Sequence, residues 1–299
     1  SFGNLHDWAH AGRFGNWLEG NIDWSLSRNR FWGTPLNVWL CDDCGHHHLP
    51  TCRADLAELT GTDQADLDLH RPFVDDLTFG CTAEGCTGTM RRTPEVIDCW
   101  FDSGSMPFAQ YHYPFENEEL FESQFPADFI SEGIDQTRGW FYTMLVISTF
   151  LRGTSSYKRC LTIELILDKH GKKMSKSVGN TVDPMAIMRT QGADPLRWYM
   201  LTVSPCWTPT RFDVDGVAEA QRKLIATLEN TYAFFSLYAN IDGWREDSTA
   251  EASPTMLDRW IWSRLHTVTA QVTDALEAMD FTKAGRILAA FVQDDLSNW

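Results

Sequence analysis

The sequence predicts an α/β protein with a parallel sheet, a cysteine-bearing insertion before that sheet and an all-α bundle after it. Apolar runs at 127–133 and 161–167 have the length of buried strands, and the apolar stretch 136–150 between them has the length of a helix. A strand, helix, strand succession implies a parallel sheet with a right-handed connection. Two closely spaced cysteine pairs precede these runs, and beyond residue 216 apolar residues recur at helical spacing.

Length and composition limit the class of protein. With 299 residues, 43% of them hydrophobic, the chain has room for two or more domains. It has no run of about 18 apolar residues, so we expect no membrane span and a cytoplasmic location. The formal net charge of −16 argues against a general nucleic-acid binder. Dispersed acidic residues favour a salt-rich cytosol, and the alternative is an ordinary acidic protein.

Both ends of the chain indicate a piece of a longer protein. The first residue is not Met, and the last residues lie inside an amphipathic helical pattern.

The cysteine pairs predict a metal site. Cys41 and Cys44 are separated by two residues, Cys81 and Cys86 by four, and a turn-forming glycine lies near each pair. Four thiolates in two such pairs suit tetrahedral zinc. The histidines at 46–48 are alternative ligands for one position. The competing interpretation is a set of unrelated buried cysteines, since a disulfide is not expected in a reducing cytosol.

Polar residues follow two of the predicted strands. The run 96–101 predicts a central strand that ends in an Asp-Ser-Gly turn, and the run 127–133 ends at Glu132 and Gly133. Asp135 is placed to cap the helix that starts at Gln136. Because ligands of open α/β sheets bind at the carboxyl ends of strands, this edge is the expected binding site.

The segment after the strand 161–167 is rich in lysine. The chain has seven lysines, and four of them lie between Lys169 and Lys176. Lysines on a Gly-flanked loop could close over a triphosphate and stabilise charge on departing pyrophosphate. The alternative is an exposed hairpin tip whose lysines are merely solvated.

The loop sequence Lys173-Met174-Ser175-Lys176-Ser177 resembles the signature loop of class I aminoacyl-tRNA synthetases. In that family both lysines contact ATP phosphates while the aminoacyl-adenylate forms. The segments 98–107 and 132–142 resemble isoleucyl-tRNA synthetases of the archaeal and eukaryotic type. Valyl enzymes are similar in the lysine loop and differ in these two segments.

The resemblance implies roles for particular residues. Trp100 and Trp140, with Asp102, would form the pocket for the isoleucine side chain, although a Trp is more often a core residue. The aminoacyl-adenylate and ATP would be held by Glu132, Gly133, Asp135, Gln136 and the lysine loop, with Lys173 and Lys176 catalytic. The resemblance also implies Mg²⁺ with ATP, a structural zinc ion, L-isoleucine and tRNA(Ile) as partners, and a monomeric full-length protein.

The family architecture also implies domain boundaries. The expected order is a re-entry segment of the catalytic domain (1–34), a zinc-binding insertion (35–95), the second half of a class I Rossmann-like catalytic domain (96–180), a stem-contact region (181–215) and the start of a helical anticodon-binding domain (216–299). The His-x-Gly-His signature and the editing domain are missing. We therefore expect this chain alone to be inactive. The alternatives are a valyl-type enzyme or a non-catalytic RNA-binding or zinc-scaffold protein.

Two Asp-Pro pairs and three apolar stripes predict the remaining helices. Asp183 and Asp194 are placed as N-caps, each before a Pro at the first helical position, and Gly192 is placed to end the first helix. The first bundle stripe consists of Leu224, Leu228, Tyr232 and Phe235; the second runs from Leu257 to Leu276, and the third from Ile287 to Val292.

Overall fold

The computed structural model describes residues 12, 14–245 and 254–298. The chain divides into two compact units, which we call the cysteine unit and the lysine unit. Among the described residues, the cysteine unit consists of 12, 14–128 and 135–158, and the lysine unit consists of 129–134, 159–245 and 254–298. Of the helices in the described ranges, none combines the length and apolar character that crossing a bilayer requires. The domain boundaries expected from the family architecture remain predictions.

The cysteine unit contains a four-stranded antiparallel sheet. Its strand order is β3-β2-β5-β4, with β2 at Trp39–Cys41, β3 at His47–His48, β4 at Thr78–Gly80 and β5 at Thr89–Arg92. Helix α2 (Arg53–Thr60) and a short 3-10 helix (Phe73–Asp76) accompany the sheet. The core of this sheet buries Trp39, Cys41, Leu56, Val74, Phe79 and Met90. Apolar burial of this kind stabilises the scaffold around the cysteine pairs.

A second, two-stranded sheet corrects the prediction of a central strand at 96–101. Strand β1 (Ser27–Arg28) pairs antiparallel with β6 (Val96–Ile97), and the chain then enters helix α3 (Cys99–Gly104). The strand ends early because the Asp98 side chain accepts a hydrogen bond from the backbone N–H of Trp100, which caps the helix. The segment therefore leads into a helix, and it does not join the parallel pair of the lysine unit.

The other helices of the cysteine unit are α1 (Gly15–Glu19), α4 (Met106–Ala109), α5 (Glu118–Gln124) and α6 (Trp140–Arg152). Phe108 and Phe121 pack against Ile147 of α6. The expected N-cap Asp135 is wrong. A 3-10 helix spans Ile134–Arg138, and α6 begins only after Gly139. The Gln136 side chain, through its Oε1, accepts the N–H of Trp140 at 3.0 Å and fills the capping role.

The lysine unit contains the expected parallel pairing, but one predicted strand is split. Strand β7 (Ile130–Gly133) pairs in parallel with β8 (Cys160–Ile163). The run 161–167 breaks after Ile163, and β9 (Ile166–Leu167) pairs in parallel with β10 (Thr210–Arg211). The break has a physical cause, because the N–H of Glu164 donates to the carbonyl of Cys206 at 2.8 Å. This contact directs the chain toward a new partner strand.

Helices α7 (Pro184–Gln191) and α8 (Ala193–Thr202) follow the lysine loop. Asp183 caps α7 by accepting from the N–H of Met185, and Gly192 ends it, so both of these predictions are confirmed. The expected N-cap Asp194 is wrong: α8 starts at Ala193 with Gly192 at the N-cap, and Asp194 lies in the first turn.

The remaining helices are α9 (Val214–Ala220), α10 (Ala226–Ile241), α11 (Met256–Glu277) and α12 (Phe281–Ala290). Five- and six-residue π-helical turns follow α9 and α12, at Gln221–Ile225 and Phe291–Leu296. Only part of the first predicted stripe is buried: Leu224 is buried, whereas Leu228, Tyr232 and Phe235 are exposed. The Thr282 hydroxyl and the Arg286 guanidinium donate to backbone carbonyls at the end of α8, which joins α12 to that helix.

Candidate functional site

The four cysteines meet at one point of the cysteine unit. Their sulfur atoms lie within 4.8 Å of one another. Cys41 Sγ is 3.6 Å from Cys86 Sγ, and Cys44 Sγ is 3.7 Å from Cys81 Sγ. Four sulfurs at the Zn–S distance of about 2.3 Å around a tetrahedral ion would be about 3.8 Å apart. The donor set therefore fits zinc without any of the histidines at 46–48.

The surroundings of the sulfurs also fit a cation. A Cβ atom at Gly88 would lie 2.6 Å from Cys41 Sγ, so this position has to be glycine for the cluster to close. The backbone N–H of Cys44 contributes most to lowering the pKa of Cys41, which is about 7. The backbone N–H of Gly88 lowers the pKa of Cys86, but hydrogen bonding to Cys44 and burial outweigh it and raise that pKa to about 12. A divalent cation would supply the charge that lets all four thiols ionise.

The lysine loop is fastened at its base by two side chains. Asp168, directly after β9, accepts hydrogen bonds from the N–H groups of His170 at 2.9 Å and Lys172 at 2.8 Å, and from Asn180 Nδ2 at 2.8 Å. The hydrogen bond from Asn180, followed by that from the Lys172 N–H, lowers the pKa of Asp168. Asn180 also accepts the N–H of Ser175 at 2.9 Å and donates to the carbonyl of Lys173 at 3.1 Å.

The side chains of the loop are of two kinds: Met174 and the two serines make contacts within the lysine unit, and the lysines are exposed. Met174 packs against the core formed by Ile187, Tyr199, Phe212 and Val217. Ser175 Oγ lies 3.1 Å from Ser177 Oγ and accepts the N–H of Val178 at 3.2 Å. The four lysines of the segment are exposed, and none joins an ion pair with another described residue. The loop thus presents ammonium groups, Lys173 and Lys176 among them, that have no ion-pair partner within the part of the chain that the structure describes.

In the cysteine unit, a buried carboxylate positions helix α3. Asp98 is 4% exposed and accepts hydrogen bonds from Trp24 Nε1 at 3.0 Å, from the N–H of Trp100 at 3.1 Å and from the Arg28 guanidinium. Burial acts to raise the pKa of Asp98, but these hydrogen bonds and the charge of Arg28 outweigh it and lower the pKa. Asp98 therefore stays ionised and ties the helix that carries Trp100 to β1. The sequence shows Asp98 only as a polar residue within an apolar run, so its role could not be read from it.

The two predicted pocket tryptophans lie on contacting helices. Trp140 Nε1 donates to the carbonyl of Ser103 in α3 at 3.1 Å. The ring of Trp100 lies against Gly139, immediately before Trp140. Trp100 is 41% exposed and Trp140 is half-buried, so neither is a core residue. The structure therefore brings these two predicted residues together.

The Asp102 side chain lies on a different face of α3 from Trp100. Its Oδ2 accepts from Thr34 Oγ1 at 3.0 Å, and it lines a cavity of about 380 Å³ together with Thr34 and Phe101. Two positions along a helix differ by about 200°, so Asp102 and Trp100 point away from each other. The structure does not group Asp102 with the tryptophan pair.

The remaining predicted residues lie around the end of β7 and the 3-10 helix. Glu132 and Gly133 end β7, and Glu132 Oε2 accepts the N–H of Gly133 at 3.3 Å. Asp135 and Glu132 are exposed, and Asp135 accepts from Gln136 Nε2 at 3.1 Å. The acceptor oxygen of Gln136 is used by Trp140, a structural role that the sequence did not reveal.

Comparison with known families assigns the class of protein. Residues 5–213 match the model for tRNA synthetases class I (I, L, M and V), and residues 258–299 match the anticodon-binding domain of tRNA ligases. The chain therefore belongs to the class I tRNA synthetases. The expected Rossmann-like catalytic domain followed by a helical anticodon-binding domain is confirmed.

Among the members of the family, the chain is similar to isoleucine–tRNA ligases. It is 54% identical over 294 residues to the enzyme of Bacillus thuringiensis strain Al Hakam. The aligned region covers 98% of this chain and 28% of the relative. It is 52% identical over 290 residues to the enzyme of Streptomyces avermitilis, covering 96% of this chain and 28% of the relative. The chain thus spans about 28% of the length of these curated relatives.

Solved structures share the fold. Agrobacterium radiobacter K84 agnB2 LeuRS, in a ternary complex with tRNA and LeuAMS, aligns with a TM-score of 0.67 and 22% identity, covering 97% of this chain and 39% of that one. Mycobacterium tuberculosis methionyl-tRNA synthetase with methionyl-adenylate aligns with a TM-score of 0.66 and 19% identity, covering 97% of this chain and 46% of that one.

These relatives support neither the source expected from composition nor the type of enzyme expected from the segments 98–107 and 132–142. The named isoleucine–tRNA ligases come from Bacillus and Streptomyces, which are bacteria, so the archaeal and eukaryotic type and the salt-loving source lack support. An excess of acidic residues bears on the solubility of a protein and on the screening of its surface charge, and it does not indicate the lineage of the organism. The net charge therefore does not identify the source.

Proposed function

We propose that the full-length protein to which this chain belongs uses ATP to join L-isoleucine to tRNA(Ile) through isoleucyl-adenylate. The observation that carries the proposal is the lysine loop, whose exposed ammonium groups stand on a base fastened by Asp168 and Asn180. The choice of isoleucine rests on the 52–54% identity to isoleucine–tRNA ligases.

Adenylate formation needs charge stabilisation at the departing group. The isoleucine carboxylate attacks the α-phosphorus of ATP, the bond to the bridging oxygen breaks, and pyrophosphate leaves with the negative charge. Lys173 and Lys176 offset this charge as it develops, which lowers the barrier rather than merely binding ATP. Mg²⁺ bound to ATP would neutralise part of the triphosphate charge.

The remaining residues of the proposed site hold the adenylate and select the amino acid. Glu132, Gly133 and Asp135 present polar groups at the end of β7 and in the 3-10 helix that follows, where the amino group and ribose of the adenylate can bind. Gln136 contributes by fixing the start of α6. The isoleucine side chain enters an apolar slot bounded by Trp100 and Trp140, and Asp102 supports α3 from its other face.

An apolar slot rejects larger side chains more strongly than smaller ones. The missing methylene of valine is worth only about 1 to 3 kcal/mol, a figure that comes from measured isoleucyl-tRNA synthetases and not from this structure. Valine should therefore be activated at a reduced rate, and leucine should be excluded by overlap.

The other partners follow from the family matches. The helices that fall in residues 258–299 would contact tRNA(Ile), since this range matches an anticodon-binding domain, and the expected stem-contact region 181–215 would contact it as well. Cys41, Cys44, Cys81 and Cys86 would hold one structural zinc ion. We expect the full-length protein to be monomeric and to act in the cytoplasm.

Isoleucine-dependent exchange of pyrophosphate into ATP tests the role of the loop in the full-length enzyme. Lys176→Ala should lower the exchange rate a hundredfold or more, since one lost contact to developing charge costs about 3 to 4 kcal/mol. Isoleucine affinity should change little. Lys223→Ala is the matched control, because Lys223 pairs with Glu219 on a helical segment outside the loop. A Lys176→Ala enzyme with normal exchange would rule out the assigned role.

A further inference from the structure

We propose that Gly139 is a determinant of amino-acid specificity, because the ring of Trp100 packs directly against it. Trp100 forms one side, or wall, of the proposed slot, so Gly139 sets the position of that wall. The inference builds on the proposed function, since it concerns the slot that would select isoleucine. Gly139 is buried, lies between the 3-10 helix and α6, and touches elements that carry both tryptophans. Its own side chain, a hydrogen atom, would never touch the substrate.

The contact with Trp100 leaves no room for a side chain. A Cβ atom at position 139 would lie 3.0 Å from Cη2 and 3.3 Å from Cζ3 of Trp100. Carbon atoms in favourable contact are about 3.5–4.0 Å apart, so the indole would have to retreat by about 0.5 Å or more. Because the Trp100 side chain is 41% exposed, it has solvent into which it can move. The expected response is displacement of one wall.

The opposite wall is held by separate contacts. Trp140 is fixed through its indole N–H on the Ser103 carbonyl at 3.1 Å, a bond that position 139 does not enter. The same Cβ would also lie 2.8 Å from Gln136 Oε1, the atom that accepts the N–H of Trp140. Gln136 Oε1 is the far end of a flexible side chain and can shift. Trp100 would therefore move relative to a Trp140 whose indole stays anchored.

A side chain at position 139 should alter the choice between isoleucine and valine more than the rate of adenylate formation. The three nearest atoms that a Cβ at position 139 would meet belong to Gln136 and Trp100, and none belongs to the lysine loop. Moving the Trp100 ring away from Gly139 loosens the slot, which removes part of the contact that distinguishes isoleucine from valine. One methylene is worth about 10- to 200-fold in an apolar pocket. We expect Gly139→Ala to reduce the isoleucine-over-valine ratio of kcat/KM at least about fivefold, mainly through the KM for isoleucine.

The test is a double-mutant cycle in the full-length enzyme with pyrophosphate exchange as the assay. The variants are Gly139→Ala, Trp100→Phe and both together, because phenylalanine lacks the outer ring atoms that meet the new methyl group. Gly80→Ala is the matched control, since a Cβ at Gly80 in β4 meets nothing within 4 Å. Gly139→Ala should reduce the ratio in the wild-type background and have a much smaller effect in the Trp100→Phe background, while Gly80→Ala leaves the ratio unchanged.

The outcomes separate this inference from the function on which it rests. A wild-type enzyme that does not activate isoleucine would refute the proposed function. A wild-type enzyme that activates isoleucine, with an unchanged ratio in Gly139→Ala or an equal loss in both backgrounds, would overturn the inference alone. If Gly139→Ala fails to fold, recovery of folding in the double variant supports the contact with Trp100. Failure of both to fold would contradict it.

Discussion

Replacement of Asp98 by alanine should be among the most destabilising single changes in the cysteine unit. The buried carboxylate accepts the indole N–H of Trp24, the backbone N–H of Trp100 and the guanidinium of Arg28. Its loss removes the cap of α3 and leaves two donors without acceptors. Arg28 is 36% exposed and can be hydrated instead, so its share is small.

The magnitude follows from the two N–H donors. Each hydrogen bond to a charged acceptor contributes about 1.5 to 3 kcal/mol. Asp98→Ala should therefore lower the free energy of unfolding by about 3 to 6 kcal/mol, which overlaps the cost of about 3 to 5 kcal/mol for losing one partner of a buried ion pair. Asp102→Ala is the matched control. It removes a carboxylate from the same helix that accepts one exposed hydrogen bond, and it should cost about 1 kcal/mol or less.

Urea unfolding followed by near-ultraviolet circular dichroism measures both variants, and pH adds an independent check. The pKa of Asp98 is lowered in the folded chain, so its contribution is complete above the ordinary Asp pKa of about 3.9. That contribution is lost as the pH falls through the folded-state pKa. The gap between wild type and Asp98→Ala should thus narrow below about pH 4. Equal stability of the two variants at pH 7 would refute this reasoning.

Two further predictions concern the metal centre and the lysine loop. Metal analysis should find about one zinc ion per chain. Cys41→Ser or Gly88→Ala should abolish zinc binding, whereas Cys52→Ser, which lies outside the cluster, should leave it unchanged. Wild-type protein that contains no metal after growth in zinc would contradict the site. Asn180→Ala loses three hydrogen bonds, to Asp168, Lys173 and Ser175. At about 1 kcal/mol each, the loss of two or more of them should lower the pyrophosphate exchange rate of the full-length enzyme about thirtyfold or more, with circular dichroism unchanged. A wild-type rate would show that the loop does not need these hydrogen bonds.

The features that the sequence predicted well are local ones. The cysteine pairs, the cap of α7 at Asp183 and the end of that helix at Gly192 depend on residues within a few positions of one another. The lysine loop was recognisable because its five residues are contiguous. Spacing and residue type carry this information directly.

The features that it missed depend on contacts between distant parts of the chain. The run 96–101 is apolar enough for a strand, but Asp98 binds Trp24, 74 residues away, and starts a helix too short to show a period. The start of α6 was misplaced because Asp135 is a favoured N-cap residue by type, whereas the chain first forms a 3-10 helix and α6 begins only after it. The split at Glu164 likewise depends on the distant carbonyl of Cys206.

We expect the full-length protein to activate isoleucine in a slot bounded by Trp100 and Trp140. The most direct measurement is pyrophosphate exchange with isoleucine, valine and leucine, for wild type and for Trp140→Ala. We predict that the wild type prefers isoleucine, uses valine about 10- to 200-fold less efficiently and excludes leucine, and that Trp140→Ala weakens isoleucine while admitting leucine. Equal use of isoleucine and valine by the wild type, or an unchanged profile in Trp140→Ala, would show that this slot does not select the amino acid.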